Sequence, residues 1–506
     1  MLYYSTRDTA SSPRTVTAAE AIKEGLAPDG GLYLPEAVPA LSAADFEALC
    51  AMDYPERAAF ILSRYLTDYD PSLLSGDCRA AYSPERFPQT EDPSAFGARP
   101  APIRALDGEI YALELWHGPT SAFKDMALQI MPRLLSRALV MTGERRTAQI
   151  LVATSGDTGK AALEGYRDVE GVAITVFYPT GGVSPMQARQ MQTTRGNNVN
   201  VVAVRGNFDD AQNGVKRIFA DRDLAEEADL CGFFFSSANS INWGRLVPQI
   251  VYYVSAYCDL VKAGRIPMGG EVNVAVPTGN FGNIFAAYLA REMGLPVKRL
   301  ICASNRNDVL TEFIRTGIYN REREFYKTVS PSMDILISSN LERLLRVMGG
   351  AELTGELMAS LGREGKYRAP DELMERIRSV FSGYSLDEAG TLSVIGETWR
   401  EERYLTDPHT AVGLGAVKRY REETGDAAPV ILASTASPFK FAGPVSEALG
   451  IRASGGADGG LYDGLRALSF ATGWSVPAPL AETETLPVRF ERVIDPAGMA
   501  GIPFEH

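Results

Sequence analysis

The sequence predicts an α/β protein that contains parallel sheets. From about residue 110 onward, short runs rich in β-branched residues alternate with longer helical stretches, which is typical of βαβ units. Residues 340–405 depart from this alternation, because "LERLLRVMGG" and "PDELMERIRSVF" indicate an inserted, mainly helical piece. The first hundred residues form a third part, a mixed segment before the alternation begins.

The N-terminal segment carries two predicted helices. "TVTAAEAIKEGL" predicts a short helix with Thr17 as its N-cap, and "YPERAAFILSRYL" predicts an amphipathic helix. "APDGGLYLPEAVP" is typical of a turn. "SPERFPQTEDPSAFGARPAP" is rich in proline and polar residues and indicates a linker.

The alternating region supplies the predicted sheet strands and the helices between them. The predicted strands are "AQILVAT", "VAITVFYP", "VNVVAVRG", "EVNVAVPT", "KRLICAS" and "PVILAST". The predicted helices are "KAALEGYRD", "DDAQNGVKRIFADR", "WGRLVPQIVYYVSAYCDLVKAG" and "NIFAAYLAREMG".

Composition narrows the class of protein. The chain has 506 residues, of which 45% are hydrophobic and 22% charged, and this is ordinary for a soluble protein of two or three domains. The net charge of -13 argues against a nonspecific nucleic-acid binder. No run of about 18 apolar residues predicts a membrane span, and "MLYYSTRDTASSPRTVT" lacks the apolar core of a secretory signal.

Cysteine and histidine usage predicts neither disulfides nor a metal site. The five cysteines are odd in number and far apart, and the three histidines are scattered. We therefore expect a reducing, cytoplasmic compartment.

Three of the predicted strands run into loops of small polar residues, each followed by a predicted helix. These are "ILVATSGDTGKAALEG", "VNVAVPTGNFGNIFAAYLA" and "PVILASTASPFKFAGPVSEALG". None of them carries a Walker A or a G-x-G-x-x-G spacing, and each alone is equally typical of a tight turn. Ligands of α/β sheets lie beyond the carboxyl ends of strands, where helix N-termini bind anions. Together the loops predict a site with several anion-binding points.

Lys124, in "GPTSAFKDMALQ", lies where an apolar helix begins. The helix dipole opposes a cation there, and a solvated lysine is the ordinary interpretation. A lysine beside a phosphate loop and a carboxylate loop is, however, what a pyridoxal phosphate enzyme acting on an amino acid requires.

These residues resemble the threonine synthase family in its longer-chain bacterial and fungal branch, within the fold type II (tryptophan synthase β-like) pyridoxal phosphate enzymes. The similar stretches run almost end to end, and "HGPTSAFKD" and "SSANSINWGR" are the most specific of them. The chain begins with the family's N-terminal segment, and we expect no plant-type regulatory domain.

The resemblance implies two groups of cofactor contacts. Lys124, next to Phe123, would form the Schiff base with pyridoxal 5'-phosphate, and the hydroxyl of Thr435 would lie near the pyridine nitrogen. The loop for the cofactor phosphate would consist of Gly279, Asn280, Phe281, Gly282 and Asn283.

The resemblance also implies the substrate contacts. The substrate carboxylate would bind the loop formed by Thr154, Ser155, Gly156, Asp157 and Thr158. Asn239, Asn242 and Arg245 would face the substrate, with Arg245 the first choice and Lys160 the second for its phosphate. Many relatives of the wider class carry asparagine in place of Asp157. For His117 a substrate contact and a structural hydrogen bond are equally expected, and His409 is expected to have a structural role.

The implied activity converts O-phospho-L-homoserine and water to L-threonine and phosphate by β,γ-elimination and replacement, the last step of threonine biosynthesis. The alternatives are a lyase of the same fold that releases 2-oxobutanoate, a dehydratase, and a catalytically silent protein that binds a phosphorylated amino acid. We expect a monomer or small homo-oligomer whose partner is this small molecule, with no nucleic acid or membrane.

The implied organisation places a cofactor cleft between two α/β domains. The large cofactor-binding domain would comprise 99–145 and 271–475, and the small domain 146–270. The N-terminal segment would end at residue 98, and a tail would occupy 476–506.

Overall fold

A six-stranded sheet and a five-stranded sheet form the framework of the protein. The structure is a computed structural model that describes residues 1–10, 12–88, 92–451 and 460–505. Residues 89–91 of the predicted linker, residues 452–459 of the predicted large domain, and His506 therefore lie outside the described residues.

The larger sheet is parallel except at one edge. In spatial order its strands are Phe381–Ser385, Val297–Ser304, Val272–Pro277, Val430–Ser434, Ile110–Glu114 and Ile103–Leu106. The last of these pairs antiparallel with its neighbour. Every residue of Val272–Pro277 and Val430–Ser434 is buried, as expected for parallel strands covered on both faces.

The second sheet is parallel throughout. In spatial order its strands are Val493–Ile494, Val199–Val204, Val172–Pro179, Thr147–Ala153 and Phe233–Ser236. The edge strand Val493–Ile494 comes from the predicted C-terminal tail, which therefore contributes to this sheet.

The predicted α/β fold is confirmed, and all the predicted strands are present in these two sheets. Phe381–Ser385 is an addition, because it lies inside the predicted helical insertion yet joins the larger sheet. The helices of that insertion are Leu341–Gly349, Ala351–Glu364, Asp371–Val380 and Glu388–Glu402.

The predicted N-terminal helices are also confirmed. Ala18–Glu24 is capped by Thr17, and Tyr54–Tyr65 follows with its apolar face buried. A buried ion pair of 2.8 Å between Arg57 and Asp259 joins this segment to the helix Pro248–Lys262. Among the described residues before position 100, the other helices are Ala43–Ala51 and Pro71–Ala81.

The helices that surround the strand ends position the candidate site. They are Asp125–Leu128, Asp157–Tyr166, Pro185–Gln192, Trp243–Leu246, Pro248–Lys262, Gly282–Glu292 and Pro408–Thr424. The remaining helices that pack on the sheets include Met131–Met141, Phe208–Ala220, Arg222–Leu230, Val309–Thr316 and Leu461–Thr472. Within the described ranges, no helix combines the length and apolar character that a membrane crossing needs. We propose that the two sheets mark the two α/β domains; their exact boundaries stay a prediction.

Candidate functional site

Lys124 and Thr435 lie together at the carboxyl end of the larger sheet. Lys124 directly precedes the helix Asp125–Leu128. The N–H of Phe123 donates to the carbonyl of Thr435 at 2.8 Å, and Ala122 pairs with Ala436. These backbone contacts fix the lysine beside the loop that follows strand Val430–Ser434.

The amine of Lys124 is buried next to a carboxylate. Only 8% of its side chain is exposed, and Nζ lies 3.4 Å from Oδ2 of Asp157 and 4.6 Å from the centre of the Phe123 ring. Burial lowers the pKa of Lys124, Asp157 opposes this effect, and the charges of Arg245 and Lys440 add to it. The interpretation of Lys124 as a solvated lysine is therefore wrong, and its amine loses a proton more readily than that of a free lysine.

Asp157 is held as an ionised carboxylate at the start of helix Asp157–Tyr166. Its Oδ1 lies 2.6 Å from Nζ of Lys440 and accepts a hydrogen bond of 2.8 Å from Gln187. Burial alone would raise the pKa of Asp157, but Lys440 and Lys124 hold it far below its usual range. Gly156 is required just before it, since φ is +133° and a Cβ would lie 2.3 Å from Gln187.

Lys440 is a member of this cluster that the sequence did not identify. Its side chain is 0% exposed, and Nζ also donates to the carbonyl of Thr120 at 3.0 Å. The only sequence signal is a lysine inside the apolar run "PFKF", which predicts a buried amine with a distant partner.

Arg245 is buried near Lys124 without a carboxylate partner. Its guanidinium donates to the carbonyl of Ala238 at 2.9 Å and to Oγ1 of Thr158 at 3.2 Å. Burial lowers the pKa of Arg245 to about 10. No carboxylate of the described chain lies within ion-pairing distance of it, so this buried positive charge is available to an anion.

The loop "SSANSINWGR" is supported by a second buried arginine. Arg343 donates to the carbonyls of Ser240 at 3.3 Å and Ile241 at 2.6 Å. The amide of Asn242 donates to the carbonyls of Ile22 and Ser237 and accepts from a backbone N–H. These bonds make Asn242 a support of the loop, and its contact with a substrate stays a prediction.

Asn239 lies half-buried on the same loop, where its N–H donates to Oγ of Ser237. Its contact with a substrate stays a prediction.

The loop predicted to bind the cofactor phosphate connects strand Val272–Pro277 to helix Gly282–Glu292. Phe281, the residue just before the helix, has a φ of +63°, and no side chain caps the helix start. A Cβ on Gly279 would lie 2.7 Å from the carbonyl oxygen of Ser332, so only glycine fits there. The uncapped N–H groups of the first turn suit an anion.

Asn283 adds a donor to the same helix start. Its Oδ1 accepts hydrogen bonds of 2.5 Å from the hydroxyls of Tyr252 and Tyr253. Its Nδ2 is buried and has no hydrogen-bond partner in the described structure. A buried donor without an acceptor is unfavourable, and a phosphate at this uncapped helix would supply the acceptor.

Residues from the polar stretch 338–340 hold the loop in place. Oγ of Ser338 donates to the carbonyl of Gly279 at 2.7 Å, and the N–H of Asn340 donates to the carbonyl of Asn280 at 3.0 Å. A Cβ on Gly282 would meet the Asn340 side chain at 3.4 Å. The loop carbonyls therefore bond to the protein, which leaves its N–H groups for a ligand.

In the loop predicted to bind the substrate carboxylate, some groups also bond to the protein while N–H groups stay free for a ligand. Oγ1 of Thr154 accepts from the N–H groups of Gly156 and Gly159 at 3.0 and 2.9 Å. The N–H groups of Asp157 and Thr158 begin the helix and have no partner within it. Ser155 is half-buried beside them. The free donors of this loop are thus backbone groups.

Lys160 lies apart from this cluster. Its amine donates to Glu164 and to Oγ1 of Thr194, both at 3.2 Å, and it lines a cavity of about 940 Å³ that does not include Lys124. Its charge is already paired with Glu164, so the structure does not support Lys160 as the second choice for the substrate phosphate.

Both described histidines make structural contacts. His117 bonds to Glu114 at 2.7 Å and stacks on Trp116. His409 bonds to Asp407 at 2.7 Å through Nδ1 and accepts the N–H of Ser332 through Nε2. Among the residues that the structure describes, no group of His, Cys, Asp and Glu could hold a metal ion.

Three family models match the chain. Residues 2–82 match the threonine synthase N terminus, residues 96–435 the pyridoxal-phosphate dependent enzyme family, and residues 410–497 the threonine synthase C-terminal family.

Curated relatives and solved structures give the same picture. Threonine synthase of Pseudomonas aeruginosa is 39% identical over 450 residues, which cover 88% of this chain and 90% of that protein. Human threonine synthase-like 1 is 41% identical over 445 residues, but the chain spans only 58% of its length. The structure of pyridoxal-phosphate-bound threonine synthase from Brucella melitensis is similar over all of this chain and 98% of its own, with a TM-score of 0.85 at 35% identity. The yeast threonine synthase structure gives 0.84 at 32% identity over the same shares.

Proposed function

The chain belongs to the threonine synthase family of pyridoxal-phosphate-dependent enzymes, and from this premise we propose that it converts O-phospho-L-homoserine and water into L-threonine and phosphate. One observation carries the proposal. Lys124 and Lys440 are both buried against the carboxylate of Asp157, and the charge of Arg245, which is buried near Lys124, is matched by no carboxylate among the described residues. Buried positive charge in excess of its partners favours the binding of anions.

The phosphate of the cofactor and the phosphate and carboxylate of the substrate would supply the negative charge that balances the buried cations. The residues from Gly279 to Asn283 would hold the cofactor phosphate, because the helix start is uncapped and Nδ2 of Asn283 has no partner. The N–H groups of Asp157 and Thr158 would bind the substrate carboxylate. Arg245 would bind the substrate phosphate through a charge-assisted pair of hydrogen bonds.

Lys124 would be the acid and base of the reaction. When bound, pyridoxal phosphate supplies an electron sink for charge that develops on the substrate carbons. Burial lowers the pKa of Lys124, so its neutral amine can take protons from Cα and Cβ and deliver them to Cγ and back to Cα. Arg245 would stabilise the phosphate as its bond to Cγ breaks, before water supplies the hydroxyl at Cβ.

Thr435 would offer a neutral hydroxyl to the cofactor ring. Its carbonyl is tied to Phe123, and its N–H donates to Oγ1 of Thr410 at 3.3 Å. These bonds fix the residue whose hydroxyl, as the family resemblance implies, would lie beside the pyridine nitrogen. A hydroxyl there tunes the ring without the ion pair that a carboxylate would form.

Product analysis tests the proposal. The cofactor-loaded protein should release phosphate and L-threonine in equal amounts from O-phospho-L-homoserine, and Lys124→Ala, checked for folding, should release neither. Phosphate with 2-oxobutanoate would identify the alternative lyase. Binding of the substrate without any phosphate release would identify the silent binding protein.

The setting in the cell is also a proposal. All five cysteines are free thiols, which supports a reducing, cytoplasmic compartment. The enzyme would act on a small molecule as a monomer or small homo-oligomer.

A further inference from the structure

The carboxylate of Asp157 in the candidate site forms ion pairs with two buried lysines. Oδ1 of Asp157 lies 2.6 Å from Lys440, whereas Oδ2 lies 3.4 Å from Lys124. The shorter and less exposed contact belongs to Lys440, so most of the carboxylate's charge is matched by the lysine that the proposed reaction does not use.

We propose that Lys440 is a positioning residue for Lys124. It holds Asp157 as an oriented anion and neutralises most of its charge, so the Lys124 amine has a carboxylate neighbour that stabilises its protonated form only weakly. The inference rests on the proposed function only in taking Lys124 as the lysine that reacts with the cofactor.

The surroundings of Lys440 suit a fixed role. Its amine is anchored a second time, by the carbonyl of Thr120 at 3.0 Å, and its side chain is 0% exposed. The other atoms bonded to Asp157 are also held: Gln187 donates to Oδ1 at 2.8 Å, and Oγ of Ser332 donates to Oδ2 at 3.4 Å. A buried, doubly anchored ammonium is a good electrostatic support.

The direction of the effect on Lys124 follows from the charges that face it, which are Asp157, Arg245 and Lys440. Asp157 raises the pKa of Lys124, and both cations lower it. Removing the charge of Lys440 leaves the whole Asp157 charge to Lys124 and also removes a repulsion. Both changes raise the pKa of Lys124, so less of its amine is neutral at a given pH.

The rate at which the cofactor-free, full-length chain captures pyridoxal phosphate reports the fraction of Lys124 whose amine is neutral. The neutral amine of Lys124 is the form that reacts, so the rate of capture, followed by the absorbance of the bound cofactor, should rise with pH through the pKa of Lys124. In Lys440→Gln we expect the midpoint of this rise to move about one unit higher, which makes capture about tenfold slower below it. In the loaded enzyme, the acidic limb of the kcat profile should move in the same direction.

Controls separate charge from packing. Lys440→Arg, which keeps the charge, should restore the midpoint toward that of the wild type. Lys160→Gln removes another buried lysine, one that pairs with Glu164 instead, and should leave the midpoint unchanged. Lys440→Met serves as a second uncharged variant if Lys440→Gln folds poorly in thermal unfolding.

An unchanged or lower midpoint in both uncharged variants overturns the inference. Lys124→Ala distinguishes this failure from that of the proposed function. If Lys124→Ala still captures the cofactor like the wild type, the proposed role of Lys124 is wrong. If Lys124→Ala fails to capture the cofactor but the uncharged Lys440 variants have the wild-type midpoint, the proposed role of Lys124 stands and that of Lys440 is wrong.

Discussion

Replacing Arg245 by methionine removes the buried cation proposed to hold the substrate phosphate while keeping a long apolar side chain. A hydrogen bond to a charged group contributes about 1.5–3 kcal/mol, and a guanidinium can make two to one phosphate. Taking about 3 kcal/mol for the loss, kcat/KM for O-phospho-L-homoserine should fall about a hundredfold, mainly through KM. Cofactor content and its absorption spectrum should stay normal, because the cofactor phosphate would bind near Gly279–Asn283.

The same variant should change stability little. Arg245 has no carboxylate partner in the part of the chain that the structure describes, so losing its buried charge relieves a desolvation penalty. This gain opposes the loss of the bond to the Ala238 carbonyl, and the free energy of unfolding should stay within about 1 kcal/mol of the wild type. Arg189→Met is the matched control, since Arg189 donates to carbonyls of Thr483 and Leu486 away from the cluster. Normal kinetics in Arg245→Met would refute the phosphate assignment.

Three further substitutions probe the loop, the ring contact and the buried carboxylate near Lys124. Gly279→Ala places a Cβ 2.7 Å from the Ser332 carbonyl oxygen, so cofactor affinity, measured by absorbance titration, should fall about tenfold or more; unchanged affinity would contradict the loop assignment. Thr435→Val should lower kcat more than cofactor affinity in steady-state assays; an empty protein that works normally once cofactor is added would reverse its role. Burial raises the pKa of Asp125 to about 6, so the folded chain holds this proton more tightly than the unfolded chain, and the free energy of unfolding should fall as pH rises from about 4 to about 6. Urea unfolding of Asp125→Asn should lack this slope, and an equal slope in both proteins would exclude Asp125 as its source.

The parts of the site that could be predicted from the sequence are those carried by single strand-to-helix loops. Gly279–Asn283 and Thr435 each follow a strand of the same parallel sheet, and carboxyl ends of parallel strands meet at one edge. Short runs rich in β-branched residues made those strands visible. Phe381–Ser385 was missed because "FSGYS" is short and carries two serines and a glycine.

The remaining contacts depend on residues that are distant in the chain. Lys440 meets Asp157 across 283 positions of sequence, and Arg343 reaches the loop at Ser240 from the helical insertion. No local pattern encodes such pairings. The contact of Lys160 is local instead, since its i,i+4 neighbour Glu164 pairs with it on the same helix.

Identification of the lysine that carries the cofactor tests the account most directly. Borohydride treatment of the cofactor-loaded protein leaves a stable cofactor–lysine adduct, and peptide mapping by mass spectrometry locates it. The account predicts the adduct on Lys124 alone, because burial, Arg245 and Lys440 lower the pKa of that amine against the opposing effect of Asp157. An adduct on Lys440, which shares the same carboxylate, or on Lys160 would contradict the account.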